Sequence, residues 1–582
     1  MKRQVSIAIL LPWFCLLIVF KTGWCPAATF TWNGSVSSDW FNNTNWIPVG
    51  VPASTDTINF ANGTTINLTS SVTINGAFNW SGGSLSGNPL TIANGGVMNI
   101  LRSVSLANVL TNAGTVTMTG TANLNILNNL GVNYQGGVYN LAGALWDIQT
   151  NANINCGCYG FEFYNNAGVF QKSQGSGTTT VGVSFANTGT VTNLLGTLSF
   201  NGGGSLTGTY GIAAGAVIYF ASGSFTMGVP PVISGSGLCE FTGTTLTLTQ
   251  NVPGNLVLAG GNVVVGPAFQ NGGGITNLTL SGATLISTNT VTGTFTWVGG
   301  TVSGPLTIAN GGVMNILGSV SLANVLTNAG TVTMAGTANL IIYNNHGVYQ
   351  GGVYNLAGAL WDIQTNAAIF TGGSGFEFFN NAGTVSKSGG SGAATIYVSF
   401  ANTGTVNALV GILSFNGSFA TVGGTLAFGV SGLSSFGQIN VAGNVALNGI
   451  ASVTWLGGFT PAIGNSFALL DYGSHSGTFA NITLPPGTTG QGNYGTTVFS
   501  LLITNVTTLT NPPVFLSIEL VNANTAVILW PTSAANFSLQ TSTNLSTGSW
   551  SNVTSGIAIV STNYVLTNHV NGKAGFFRLQ SQ

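Results

Sequence analysis

The chain has 582 residues, of which 3% are charged, 44% are hydrophobic and 86 are glycine, with a mean hydropathy of +0.43. An unstructured chain needs low hydrophobicity and an ordinary globular surface needs far more charge, so this composition excludes both. Eight Lys plus Arg against nine Asp plus Glu leave no basic stripe to neutralise phosphates, which excludes nucleic acid and anionic membrane as partners.

From the N-terminus, Lys2 and Arg3, the apolar run from Val5 to Phe20 and the small residues Ala27 and Ala28 read as a secretory signal, residues 1–28. The apolar run is shorter than the ~20 residues a membrane span needs, so the mature chain is expected to carry no transmembrane segment. It is expected outside the cell or on its surface. Cys25 follows Thr22, Gly23 and Trp24, which is no lipoprotein box. Removal of the signal leaves Cys156, Cys158 and Cys239, enough for at most one disulfide and a spare thiol, with the pairing open.

Residues 29–77 place Trp32, Trp40 and Trp46 among Asn and Gly, followed by Pro48 and Pro52. Three tryptophans so close together could form an aromatic platform for sugars. The alternative is a plug, because the end of a strand stack exposes both apolar core and unpaired backbone. We expect the plug, a cap with the first rungs. The TWNG…W…NW…VP…D pattern of this stretch resembles the opening of many secreted bacterial β-solenoid proteins.

From about residue 61, short strands such as TINLTSSVTI, LTIANGGVMNI and GTVTMTG alternate apolar residues with Thr or Asn, between Gly and Asn-Gly turns. Asn94, Asn112, Asn140, Asn166 and Asn187 recur at steps of 18, 28, 26 and 21 residues. The pattern predicts an all-β chain built as an elongated parallel β-solenoid (β-helix), about 90 Å long at ~4.8 Å per rung. Asn and Thr would form hydrogen-bonded ladders, and Val, Leu and Ile would stack inside. Thr, Ser and Asn would cover the outside.

The solenoid, residues 78–435, contains an internal duplication, 78–202 and 295–417. Trp80 recurs as Trp297, Asn140 as Asn355, Glu162 as Glu377 and Phe200 as Phe415. The segments FEFYNNAGVFQKS and VSFANTGTVTNLLGTLSFNG, and their second copies, resemble the extracellular β-strand repeats associated with autotransporters and large adhesins. That resemblance spans roughly 78 to 450 and implies a passenger-like solenoid with an adhesin or structural role. Residues 436–504 resemble the module that closes such passengers, with its motifs at Gly458 to Leu470 and Gly477 to Phe479. The 78 residues that follow are too few for a membrane barrel of ~8 or more strands, a departure from the autotransporter pattern. A linker at 505–513 leads to 514–582, where Trp530, Trp550, Phe576 and Phe577 would form the core of a small β-sandwich. This last module is similar to C-terminal modules of exported proteins from environmental bacteria and close to fibronectin type III in pattern.

The duplication filters the candidates for chemistry. Cys156 and Cys158 align with Thr371 and Gly373, Arg102 with Gly318 and His346 with Leu130, so none of these serves a function that both copies share. What survives is Trp146, Asp147 and Gln149 with Trp361, Asp362 and Gln364, then Glu162 with Glu377 and Lys172 with Lys387.

Asp147 and Glu162, and equally Asp362 and Glu377, could stand on adjacent rungs as the acid and base of a glycoside hydrolase or polysaccharide lyase. In the other reading Glu162 pairs with Lys172, and Asp147 caps a turn or accepts backbone N–H bonds. The second is expected, because a lyase site combines clustered acidic calcium ligands with Arg or Lys and each copy shares a single Lys. His475 beside Asp471 has no G-x-S-x-G elbow to complete a triad. Trp80, Trp297, Trp146 and Trp361 remain candidates for stacking on sugars. The chain therefore reads as a non-enzymatic structural or adhesin-like protein without cofactor or metal. Its partner would be a surface glycan or a neighbouring cell-surface protein, and the alternative is a polysaccharide-binding or polysaccharide-degrading β-helix.

Overall fold

A computed structural model describes residues 27–131, 134–507, 514–522, 525–544, 550–569 and 575–581. Residues 1–26 of the expected signal and 508–513 of the expected linker lie outside the described residues. The chain is all-β, and its body is a parallel β-solenoid of about 19 turns. At ~4.8 Å per turn the body is about 90 Å long.

Most turns consist of three short strands, and each strand pairs in parallel with the third strand before and after it. Thr115–Met118, Leu124–Ile126 and Gly137–Asn140 form one such turn. They lie in register on Val97–Ile100, Val104–Leu106 and Val109–Asn112 of the turn before. The alternation read from the sequence is the cause of this geometry. In TVTM, Val116 and Met118 are fully buried and the threonines between them are partly exposed. Stacking puts like on like, so Trp80, Ile100, Met118 and Ile148 follow one another along one inward column.

An aromatic spine runs beside that column. Trp146 meets Tyr164 edge-on at 5.2 Å, Tyr164 stacks on Phe185 at 5.4 Å, and Phe185 packs on Phe200 at 4.5 Å. Turns with little room need glycine. A Cβ on Gly168 would strike the carbonyl oxygens of Leu141 and Ala144 in the turn below, and Gly383 meets Leu356 and Ala359 identically.

The predicted asparagine ladders exist, but the longest is inside the solenoid rather than on its surface. Asn112 donates to Asn140 at 2.8 Å, Asn140 to Asn166 at 2.7 Å and Asn166 to Asn187 at 2.7 Å. Asn328, Asn355, Asn381 and Asn402 repeat the ladder in the second copy. All eight are buried. An amide can both donate and accept, so identical amides one rung apart satisfy one another where a lone buried amide would be costly. Asn94 does not belong to the ladder, because Asn112 stacks on Ile92. A second ladder, Asn59, Asn79, Asn99 and Thr117, runs partly exposed along another face.

The two copies do not continue each other in phase. One unbroken sheet runs through Val109–Asn112 and Gly137–Asn140, then Thr245–Leu248, Asn262–Val265, Thr284–Leu285 and Thr301–Val302, to Ser319–Leu322. Ser319–Leu322 is the counterpart of Val104–Leu106, which lies on a different face of the first copy. Between residues 256 and 302 each turn has only two strands. The nine-residue strand Asn289–Trp297 pairs by its first part with Leu306–Ile308 and by its last part with Val313–Ile316. The second copy is therefore displaced by one face around the axis.

At the N-terminal end, Thr29–Trp32 pairs in parallel with Thr57–Phe60 and antiparallel with Trp46–Ile47. Trp32, Trp40 and Trp46 are buried against one another, with ring centroids 4.9 and 4.8 Å apart, and Trp46 Nε1 donates to the Trp40 carbonyl. They pack as core, not as an open platform. At the other end parallel pairing stops, as Ser466–Gly477 pairs antiparallel with Val498–Val506 and the latter with Thr488–Tyr494. Residues beyond 514 form a four-stranded and a three-stranded antiparallel sheet around Ile528, Trp530, Leu539 and Leu566. Trp530 is in that core and Phe577 packs on it, whereas Trp550 instead lies under the Arg578 guanidinium, 4.5 Å from its ring centroid. No helix among the described residues is long and apolar enough to cross a membrane.

Candidate functional site

The residues shared by both copies meet around two corners of a turn. Asp147 belongs to Leu145–Ile148, and the turn continues through Ile154–Cys156 to Phe163–Asn166. Glu162 precedes this third strand. Asp147 and Glu162 thus belong to one turn and to different faces of it, not to adjacent rungs. The neighbours in register with Asp147 are Thr117 and Gln171. Asp362 and Glu377 repeat the placement, with Asp362 between Thr333 and Ser386. The alternative acid and base pair on adjacent rungs is not assembled.

Glu162 acts as a bracket. Its Oε2 accepts from the Gly160 N–H at 2.9 Å, and its Oε1 from the N–H groups of Tyr159 at 3.0 Å and Asn128 at 3.4 Å. Asn128 belongs to the loop of the preceding turn, so one buried carboxylate ties two loops of successive turns together. Glu377 does the same with Gly375, Ser374 and Asn344. Burial pushes the Glu377 carboxyl up, but its own N–H, those of Ser374 and Asn344, and the Thr371 hydroxyl outweigh this and hold it below its usual value.

Lys172 does not pair with Glu162. It occupies an inward position in register between Ile148 and Asn193, which explains its complete burial. Its stem runs among apolar residues and its Nζ emerges into a cage of oxygens: Thr150 O at 2.9 Å, Asn151 Oδ1 at 3.1 Å and Gln174 O at 3.1 Å. Lys387 is held by Thr365 O, Asn366 Oδ1, Gly389 O and Gly390 O. With carbonyl dipoles and no carboxylate around it, the Lys172 ammonium is pushed by burial down to about 8, and Lys387 is lowered for the same reason.

Asp147 neither caps a turn nor accepts from backbone. Its Oδ2 accepts from Gln149 Nε2 at 2.8 Å, and Asp362 accepts from Gln364 at 2.9 Å, which accounts for the shared Trp-Asp-x-Gln. Oδ1 of each aspartate is buried without a hydrogen-bond partner, for which the structure offers no physical account. Trp80, Trp146, Trp297 and Trp361 are all 0% exposed, so none presents an indole face to a sugar.

The aromatic groups that do reach the surface lie elsewhere. Tyr139, 40% exposed, packs on Phe163 with centroids 5.0 Å apart, and Tyr354, 41% exposed, packs on Phe378 at 5.0 Å. Phe163 lies flat over Gly137 and Phe378 over Gly352, where any Cβ would collide with the ring. The signal for these pairs was the identical GVYN in both copies, at 137–140 and 352–355. A scan against protein-family models finds no match, and no curated protein matches the chain.

Proposed function

We propose that the chain is an exported structural or adhesin-like β-solenoid of a bacterial cell surface or extracellular matrix, of the autotransporter-associated repeat kind, and that its work is mechanical rather than catalytic. The observation that carries this reading is the use of the shared charged residues. Glu162, Glu377, Lys172 and Lys387 each fasten loops of their own and the preceding turn, at corresponding positions in both copies. Selection for a stiff, regular rod accounts for these groups without a substrate.

A second reading, polysaccharide binding, is favoured by the two exposed aromatic pairs, since a tyrosine ring with a free face stacks well on a sugar ring. The purified mature chain separates the readings when incubated with a polysaccharide panel. New reducing ends or unsaturated products would overturn the mechanical reading. Retention by one glycan, lost in the Tyr139→Ala and Tyr354→Ala double variant, would establish the binding reading instead. Fractionation of producing cells tests export: protein confined to the cytoplasm refutes it.

A further inference from the structure

We infer that Cys156 and Cys158 form a reversible dithiol/disulfide couple that reacts with low-molecular-weight disulfides. The two Sγ atoms are 3.0 Å apart on the loop that leaves the strand Ile154–Cys156. Cys156 is half-buried and Cys158 exposed, so the pair is open to solvent reagents. It borders a cavity of about 250 Å³ that Glu162, Val183 and Ser184 also line, room enough for a small organic disulfide.

The backbone supplies an independent observation. Cys158 has φ +62°, in the left-handed region that side chains rarely adopt, whereas the second copy places Gly373 there with φ +91°. The fold thus accepts glycine at this corner, and the first copy holds a strained cysteine instead. That strain has no return in packing, since Cys158 is exposed, but it does bring one sulfur onto the other.

Cys239 is no competitor for the pairing. It is buried on the strand Leu238–Phe241, four turns along the same sheet from Ile154–Cys156, or roughly 19 Å at ~4.8 Å per turn. A Cys156–Cys158 bond would close a loop of only three residues, which constrains the unfolded chain little. An exposed, tightly closed disulfide of this kind is readily reduced, which suits a labile couple rather than a structural staple.

The chemistry is thiol–disulfide exchange. The Cys158 thiolate attacks one sulfur of R–S–S–R, forming Cys158–S–S–R and releasing RS⁻. The Cys156 thiolate then attacks the Cys158 sulfur, forming the intramolecular bond and releasing the second RS⁻. The two protein thiol protons end on the two RS⁻, so one small disulfide is reduced to two thiols as the protein dithiol is oxidised. Hydrogen bonding with Cys156, the nearby Cys156 and Glu162 side chains and desolvation raise the Cys158 thiol above its usual value, so exchange should quicken as pH rises.

The test equilibrates the full mature chain with oxidised and reduced glutathione at a series of ratios, traps free thiols by alkylation and reads the peptides by mass. The expected result is joint loss of the Cys156 and Cys158 thiols, with the peptide two hydrogens lighter, no glutathione adduct, and full recovery on reduction. Cys156→Ser should instead retain glutathione on Cys158, because no second thiol resolves the adduct. The Cys156→Thr and Cys158→Gly double variant carries the residues of the second copy, so it should fold normally and consume no glutathione disulfide. Both thiols remaining alkylatable in excess disulfide, a stable adduct on the unmodified chain, or a disulfide that includes Cys239 would each overturn the inference.

Discussion

Replacing Glu162 by glutamine tests whether this carboxylate is a bracket. The two short bonds, to Gly160 N at 2.9 Å and Tyr159 N at 3.0 Å, land on different oxygens. Glutamine keeps one acceptor and turns the other oxygen into an NH₂ that faces an N–H donor. One charge-assisted bond is lost, worth about 1.5–3 kcal/mol, and the surviving one becomes neutral and weaker. Global unfolding is a poor readout, because a solenoid opens locally and its turns contact only their neighbours.

Hydrogen exchange of the amides of Asn128, Tyr159 and Gly160 reads the bracket directly. At 1.4 kcal/mol per tenfold, their exchange should quicken by about 10- to 150-fold, while Asn344, Ser374 and Gly375 in the second copy stay unchanged. Unaltered exchange at all three amides would refute the bracket. The same geometry gives a pH dependence at Glu377. Its carboxyl is held below the unfolded value, so its contribution is present above the unfolded value and is lost as pH falls through the lower folded one. Cleavage of the 371–377 loop by an acid-active protease should therefore rise on acidification and be pH-insensitive over the same range in Glu377→Gln.

Lys172 gives a slope of the same sign in a more alkaline window. Its folded value of about 8 lies below the ordinary lysine value of 10.5, so the unfolded chain holds the proton over the interval between them and stability rises with pH there. In thermal melts from pH 7 to 10, the wild type should gain on Lys172→Met, and a wild type that loses ground to the variant over that range would refute the buried-ammonium account. In the internal ladder, Asn140→Ala removes the Oδ1 that accepts from Asn112 and the amide that donates to Asn166 Oδ1 and the Val169 carbonyl, and it leaves a void. It should cost about 2–5 kcal/mol, seen as loss of exchange protection confined to the adjoining turns, whereas Asn99→Ala on the exposed ladder should cost less than about 1 kcal/mol.

The strand period, the turn glycines and the duplication were legible along the chain, because alternation of apolar and polar residues is a local property that dictates which face each side chain takes. From these follow the all-β parallel solenoid and the amide ladders. The sites were less legible. Trp146, Trp361, Trp80 and Trp297 fall at inward positions of their strands, and only closure of the coil over them distinguishes an enclosed indole from an exposed one. Glu162 and Lys172 are ten residues apart and look like an ion pair. The corner between them turns the carboxylate toward N–H groups and the ammonium toward carbonyls, a sorting that depends on backbone direction in three dimensions.

The sequence by itself determined the architecture and the repeat, since both are periodic signals that need no partner far along the chain. Only the tertiary structure decided which asparagines are interior, that Cys156 faces Cys158, and that the second copy is turned by one face relative to the first. The last of these depends on how many strands complete a turn between residues 256 and 302, where the local pattern still reads as strand but the count per turn falls from three to two.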